Sequence, residues 1–175
     1  LVYVAGGGVG GMQAATLLHR RGHHPVLLEQ THELGGQFLL AGMAPRKAEM
    51  REAAIAMGRT LVKEGVEVRM HDQLTPEKLD GADALIVATG ARPILPTFPG
   101  RDLPHVCDSH DVLSQTVFPS GNVVVVGGGL VGLEVAEYLV GKATSVTVLE
   151  MLGAVGEDIG QIRKISVMEE LAAAG

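Results

Sequence analysis

The sequence predicts an α/β chain built on parallel sheets, and three observations carry that expectation. The first is an apolar run, Val2 to Ala5, that stops in a cluster of glycines and restarts as a helix of small and apolar residues through Leu18. The second is the spacing of those glycines: Gly6, Gly8 and Gly11 form G-x-G-x-x-G. In that pattern the first glycine makes a tight turn, the second admits a pyrophosphate close to the backbone, and the third lets helix and strand pack closely. The third observation is that the chain does this twice, with Gly6, Gly8, Gly11 and Glu29 recurring as Gly127, Gly129, Gly132 and Glu150, each displaced by 121 positions. A single fingerprint among 24 glycines is a weak signal. Two copies, each after an apolar strand and each followed 18 residues later by a glutamate closing a second apolar strand, are a strong one. The architecture expected is a Rossmann-like, doubly wound parallel sheet followed by a second, truncated unit of the same kind.

The chemistry that such a turn offers is anion binding. A phosphate rests against the N–H groups and positive dipole end of the helix. A carboxylate at the end of the second strand, here Glu29 and Glu150, accepts the hydroxyls of an adenosine ribose. The competing reading is a glycine turn in an α/β fold that holds no ligand.

Taken in order, Leu1 to Ala5 reads as the first strand and Gly10 to Arg21 as the first helix, stopped by Gly22. Pro25 to Glu29 is the second strand, with Gln30 following at the same strand end. His19 and His23 have the spacing of a metal pair on a helix, but Gly22 ends the helix between them and no third ligand is near, so no metal site is expected. Next comes Leu34-Gly35-Gly36-Gln37-Phe38, whose aligned stretch in the second copy is Val155-Gly-Glu-Asp158. This asymmetry implies that the two sites hold different dinucleotides. The double glycine either lets backbone lie against the other side of a pyrophosphate or is a plain turn.

Pro45 to Glu64 reads as a helix of about 30 Å. Met43, Met50 and Met57 recur every seven residues and are expected to form a core stripe. Arg46 and Lys47 fall in its first turn, where cations oppose the dipole. They are either compensated by a pyrophosphate or solvated. Val66 to Met70 alternates like a strand, Leu74 to Leu79 is a connection with a helical turn, and Ala84 to Gly90 reads as a buried strand. Its ending, Ala88-Thr89-Gly90, sets small residues beside a cofactor or at a domain exit. Four prolines between Pro93 and Pro104 make the next segment extended. Val106 to Ser114 leads through a short helix to the second copy: strand Asn122–Val126, helix Leu130–Val140, strand Ser145–Glu150, and helix Asp158–Ala174 with Asp158 as its cap. The domains expected are 1–115 and an incomplete 116–175.

The 175 residues suffice for a proper core, which must be aliphatic because 46% of the chain is hydrophobic and 3% aromatic. The net charge of −6, with basic residues scattered, gives no nucleic-acid footprint. The single cysteine, Cys107, excludes a disulfide framework or a cysteine-ligated cluster within this chain and is expected to be a buried or incidental thiol. No apolar run approaches 18 residues and no targeting signal opens the chain, so a soluble cytoplasmic protein without membrane contact is expected. A start inside a strand, at Leu1, and a close on Ala172 to Gly175 read as a fragment of a longer polypeptide.

The order of a glycine fingerprint, Glu29, Leu34-Gly35-Gly36-Gln37, Ala88-Thr89-Gly90 and a second fingerprint with Glu134 and Glu150 resembles flavoproteins with two dinucleotide-binding domains. In that group the first fingerprint holds the ADP half of FAD. The second, Gly-x-Gly-x-x-Gly-x-Glu, here Gly127 to Glu134, belongs to a nicotinamide domain inserted into the flavin domain. Members of the lipoamide dehydrogenase type carry a cysteine pair just after the double glycine. Residues 35–43 here contain none, and no Cys-x-x-Cys follows, so dithiol chemistry is not expected. Gly-Gly-Gln-Phe, with Lys47 ten residues past Gln37, is similar instead to the C-terminal nucleotide-binding part of the NADH:flavin oxidoreductase group of enoate and 2,4-dienoyl-CoA reductases. Trimethylamine and histamine dehydrogenases are relatives of that group.

The resemblance implies FAD contacts from Gly10, Glu29, Gln37, Lys47 and the backbone at Leu74, with Gln30, Gly36, Ala88, Thr89 and Gly90 beside them. It implies NADH contacts from Gly127, Gly129, Leu130, Gly132, Glu134 and Glu150. It also implies an N-terminal barrel of the same polypeptide carrying FMN and an iron–sulfur cluster. The role expected is electron input, from NADH through FAD to centres elsewhere, with no acid, base or nucleophile supplied by this chain. One branch of the group holds only ADP in the first site. Two alternatives stand beside this reading: a structural ADP or FAD module that passes no electrons, and a stand-alone FAD-dependent NADH oxidase or ferredoxin-type reductase.

Overall fold

Val2–Ala5 (β1) and Pro25–Glu29 (β2) are buried at every residue, because they occupy the centre of a four-stranded parallel sheet. Glu67–Met70 (β3) and Ala84–Val87 (β4) form its edges, in the order β3-β2-β1-β4, with Val4 opposite both Leu27 and Ile86. The structure, a computed structural model, describes residues 1–174. The chain divides into two compact units, Leu1–Gly42 with Lys47–Ile94, and Met43–Arg46 with the residues from Leu95 onward.

In the first unit the two-residue period of the strands sorts the core onto two faces. Val4 and Leu27 pack with Met12 and Ala15 of the helix Val9–Arg20 (α1), and with Leu61 of the helix Ala48–Lys63 (α3). Tyr3, Val26 and Leu28 face the other way, against Leu74, Leu79 and Ala82 of the β3–β4 connection, which contains a 3-10 turn at Pro76–Leu79. Each large aliphatic side chain fully buried here stabilises the fold by about 1.5–3 kcal/mol.

The structure corrects several expectations. The last strand is Ala84–Val87, and it is half-exposed rather than buried, because it lies at the sheet edge; Ala88, Thr89 and Gly90 follow it as irregular backbone. The long helix begins at Ala48 rather than Pro45, because Arg46 has φ 59, outside helical space, and Lys47 sits at the N-cap. Its buried stripe is Ala54, Gly58 and Leu61; of the three methionines Met57 packs against the core, and Met43 lies in the other unit. A short helix absent from the sequence reading, Gln37–Ala41 (α2), follows the double glycine.

The second unit contains Ser109–Leu113 (α4), Asn122–Val126 (β5), Leu130–Leu139 (α5), Ser145–Leu149 (β6) and Gln161–Ala174 (α6). Asp108 and Asp111 close a capping box on α4, which is why so short a helix forms there. β5 and β6 pair in parallel, and Leu133, Ile159 and Val167 make the core beneath them. Val124 and Val126 are 55% exposed, so one face of this two-stranded sheet is uncovered. No helix among the described residues is long and apolar enough to cross a membrane.

Candidate dinucleotide-binding sites

The turn from β1 into α1 is tight because its glycines sit where side chains do not fit. Gly6 has φ 111, and a Cβ there would run into the Ala88 carbonyl; a Cβ on Gly11 would run into the Gly6 carbonyl. Gly8 and Gly10 differ: nothing lies within 4 Å of where their Cβ atoms would point. Gly8 is the N-cap of α1 with no side-chain cap, and the first turn holds no acidic residue. Backbone N–H groups at an uncapped helix start beside an open surface suit an anion such as a pyrophosphate.

Glu29, buried at the end of β2, accepts the Gly7 N–H at 2.7 Å through Oε2 and the Thr31 N–H at 2.7 Å through Oε1. A carboxylate has about four acceptor positions, so capacity for ribose hydroxyls remains. The double glycine runs alongside the same turn: the Gly35 N–H donates to the Gly7 carbonyl at 2.9 Å, and a Cβ on Gly36 would come within 3.1 Å of the Gly8 Cα. Gly6, Gly8, Gly10, Gly11, Glu29 and Gly36 are therefore one constellation at the carboxyl end of β1 and β2. Gln30 follows as an exposed residue. Gln37 opens α2, and its Nε2 donates to the Ala91 carbonyl at 2.5 Å, fastening the segment after Ala88-Thr89-Gly90. Leu74 is half-buried against Tyr3, Val26 and Leu28.

Lys47 is half-buried at the N-cap of α3. Its neighbour Arg46 pairs with Glu137 and Glu170, so protein carboxylates lie against this arginine. Glu137, buried on α5, also accepts from Arg163 at 2.9 Å. Cys107 is exposed, which leaves the incidental thiol of the two alternatives; the desolvation it does undergo, with Asp111 and Asp108 beside it, raises its thiol above the ordinary cysteine range.

The second turn repeats the backbone path of the first. Gly127 has φ 106, and a Cβ on Gly132 would run into the Gly127 carbonyl. Glu150 accepts the Gly128 N–H at 2.7 Å and the Leu152 N–H at 2.8 Å. The Leu152 and Gly128 N–H groups hold this carboxyl below the usual carboxylate range. The Gly156 N–H donates to the Gly128 carbonyl at 2.7 Å, the counterpart of Gly35 and Gly7. A cleft of about 420 Å³ opens here, lined by Gly128, Gly129, Glu150, Leu152, Glu157 and Asp158 among others. Glu134 is buried on α5. Asp158 does not cap α6, which starts at Gln161; its two carboxylate oxygens lie 3.1 and 3.2 Å from the Leu130 N–H, at the start of α5. Gly7, Gly128 and Thr31 also belong to these turns through their N–H groups, and Gly7 and Gly128 recur at the same displacement as the glycines around them.

The family model for pyridine nucleotide-disulphide oxidoreductases matches residues 2–175. The chain belongs to that family. As a member of that family it is a dinucleotide-binding domain, in keeping with its two glycine turns. It is 40% identical over 159 residues to a bilirubin reductase of Mediterraneibacter gnavus, an alignment covering 90% of this chain and 25% of the relative. It is 37% identical over 180 residues to an NADH oxidase of Thermoanaerobacter brockii, covering 99% of this chain and 28% of the relative. Among solved structures, 2-naphthoyl-CoA reductase in complex with 2-naphthoyl-CoA superposes with a TM-score of 0.89 at 27% identity, over 99% of this chain and 26% of that one. The domain thus spans about a quarter of the length of these relatives, which agrees with the enoate and dienoyl-CoA reductase resemblance. Unlike the disulphide reductases that give the family its name, this chain has a single cysteine.

Proposed function

We propose that the first unit holds the ADP half of FAD, that the second holds NADH, and that the chain is the electron-input part of a longer cytoplasmic reductase. The observation that carries this is the pair of carboxylates Glu29 and Glu150, each closing on the glycine turn of its own unit at the same 2.7 Å. In the first unit the N–H groups at the start of α1, with Gly8, Gly10 and Gly36 leaving the backbone bare, take the pyrophosphate, and Glu29 takes the ribose. Gln37, Lys47, Gln30, the Leu74 backbone and Ala88 to Gly90 line the rest of the flavin nucleotide. In the second unit Gly127, Gly129, Leu130 and Gly132 present the turn, Glu134 lies one turn further along α5, and Glu150 takes the ribose. A carboxylate at that position repels a 2′-phosphate, so NADH is preferred to NADPH.

The chemistry that the two cofactors supply when bound is hydride transfer from a reduced nicotinamide to a flavin. The chain's own residues bind and orient; none acts as acid, base or nucleophile. The length of the relatives supports a further domain of the same polypeptide, and we place FMN, an iron–sulfur cluster and the final acceptor there. Reductases of bilirubin, cinnamate and 2-naphthoyl-CoA among the relatives point to a conjugated organic acceptor.

The test is to release nucleotides by heat from the purified full-length protein, identify them by chromatography, and follow the flavin absorbance on adding NADH. FAD that bleaches with NADH is the expected result. ADP without FAD makes the first site structural and overturns the electron-input role.

A further inference from the structure

Among the register positions at which the two glycine turns differ, one sets a carboxylate against a helix start. At a displacement of 121, Gln37 matches Asp158 and Val9 matches Leu130. The loop path is the same in both copies, since Gly35 bonds to Gly7 as Gly156 bonds to Gly128. The side chains do opposite things. The Gln37 amide reaches the Ala91 carbonyl, and the space over Gly8 is open to 4 Å. The Asp158 carboxylate lies against the start of α5, with both oxygens within 3.2 Å of the Leu130 N–H, and Oδ2 is 2.9 Å from where a Cβ of Gly129 would stand.

We propose that Asp158 is an internal anion lodged in the pyrophosphate position of the second glycine turn, and that it sets the affinity for the nicotinamide nucleotide because it must leave for the nucleotide to seat. This rests on the reading of the second unit as the NADH site. A helix start offers its N–H groups and dipole to one anion at a time, and a carboxylate and a phosphate in the same place repel each other. Ile159, buried with Leu133 and Val167, anchors the backbone next to Asp158, so the displacement is a rotation of the side chain and not a movement of the loop. Glu150, by contrast, stays where the ribose needs it. Asp158 is therefore a positioning residue that opposes the pyrophosphate and leaves adenosine recognition untouched.

The experiment is calorimetric titration of the full-length flavoprotein with NADH, ADP-ribose and adenosine, in wild type, Asp158→Asn, Asp158→Ala and Glu157→Gln. The last removes the same charge one residue away. Loss of one charge-assisted hydrogen bond at the turn should tighten NADH and ADP-ribose about tenfold in Asp158→Ala, with Asp158→Asn intermediate. Adenosine should change by less than about twofold, because it lacks the pyrophosphate. Equal or weaker ADP-ribose binding in both Asp158 variants overturns the proposal, as does equal tightening by Glu157→Gln. If no variant and no wild type binds any of the three while FAD is present, the reading of the second unit fails and this role falls with it. That result is distinguishable from loss of the role alone.

Discussion

Oε2 of Glu29 lies 2.7 Å from the backbone nitrogen of Gly7, so the carboxylate assigned to the ribose is first of all the clasp that holds the glycine turn closed. Its other oxygen holds the Thr31 N–H. Truncating Glu29 to Ala leaves two loop N–H groups without an acceptor, which costs about 1–3 kcal/mol for a group cut off from water. Glu29→Gln keeps one oxygen for the turn but gives up the charge. The expected outcome is a lowered melting temperature and loss of FAD for Glu29→Ala, and a near-native melt with weakened FAD for Glu29→Gln. Full flavin occupancy in the alanine variant, read from the ratio of flavin to protein absorbance, would contradict the ribose assignment.

Glu150 stands in the same relation to Gly128, and its carboxyl is held below the ordinary range by the Leu152 and Gly128 N–H groups. A depressed folded pKa means that its contribution to stability is present above the unfolded carboxylate pKa and is lost as pH falls through the folded one. Glu150 is thus anionic throughout the neutral range. The preference for NADH over NADPH should therefore be widest where the 2′-phosphate is doubly ionised, above about pH 6, should narrow below that as the phosphate takes up a proton, and should shrink in Glu150→Ala. A wild-type difference in affinity of about threefold or less would remove the claim of discrimination by charge.

The glycine spacing and the paired glutamates made the sites legible in the sequence because they are local: each feature lies within one strand–turn–helix passage. What escaped was decided by partners distant in sequence. Arg46 reads as a first-turn cation, solvated or compensated by an anion, yet it takes a left-handed backbone outside the helix and pairs with Glu137, 91 positions away. Asp158 read as a cap on the helix that follows it; it turns back 28 positions to α5 instead. Burial of β4 is overstated in the sequence because an apolar strand looks the same at the centre of a sheet as at its edge, and only the pairing order separates the two.

The glycines of one fingerprint should respond to alanine in opposite ways. Gly8 has φ −68 and open space around it, so Gly8→Ala folds normally and loses FAD, because the methyl group stands where the pyrophosphate approaches. Gly11 faces the Gly6 carbonyl at a separation no Cβ tolerates, so Gly11→Ala forces helix and strand apart at a cost on the order of 3 kcal/mol or more. Thermal melts set beside flavin content separate the two outcomes. Equal loss of stability in both variants would show that the open surface at Gly8 is not a ligand seat.

The buried Glu137 is held by Arg46 and Arg163, and Arg46 is also paired with Glu170. Removing the carboxylate leaves the two guanidinium groups facing each other, and Arg163 already has a buried Nε without a partner. Glu137→Ala should lower stability by about 2–4 kcal/mol. Arg46→Ala should cost less, because its side chain is 46% exposed and water screens the pair. Replacing Glu137, Arg46 and Arg163 together by Met should recover part of the loss, since an apolar cluster needs no charge partner. The same variants test what compensates Arg46: if its anions are Glu137 and Glu170, Arg46→Ala retains FAD at wild-type content. Release of FAD by Arg46→Ala in a protein that melts normally would return the arginine to the flavin pyrophosphate.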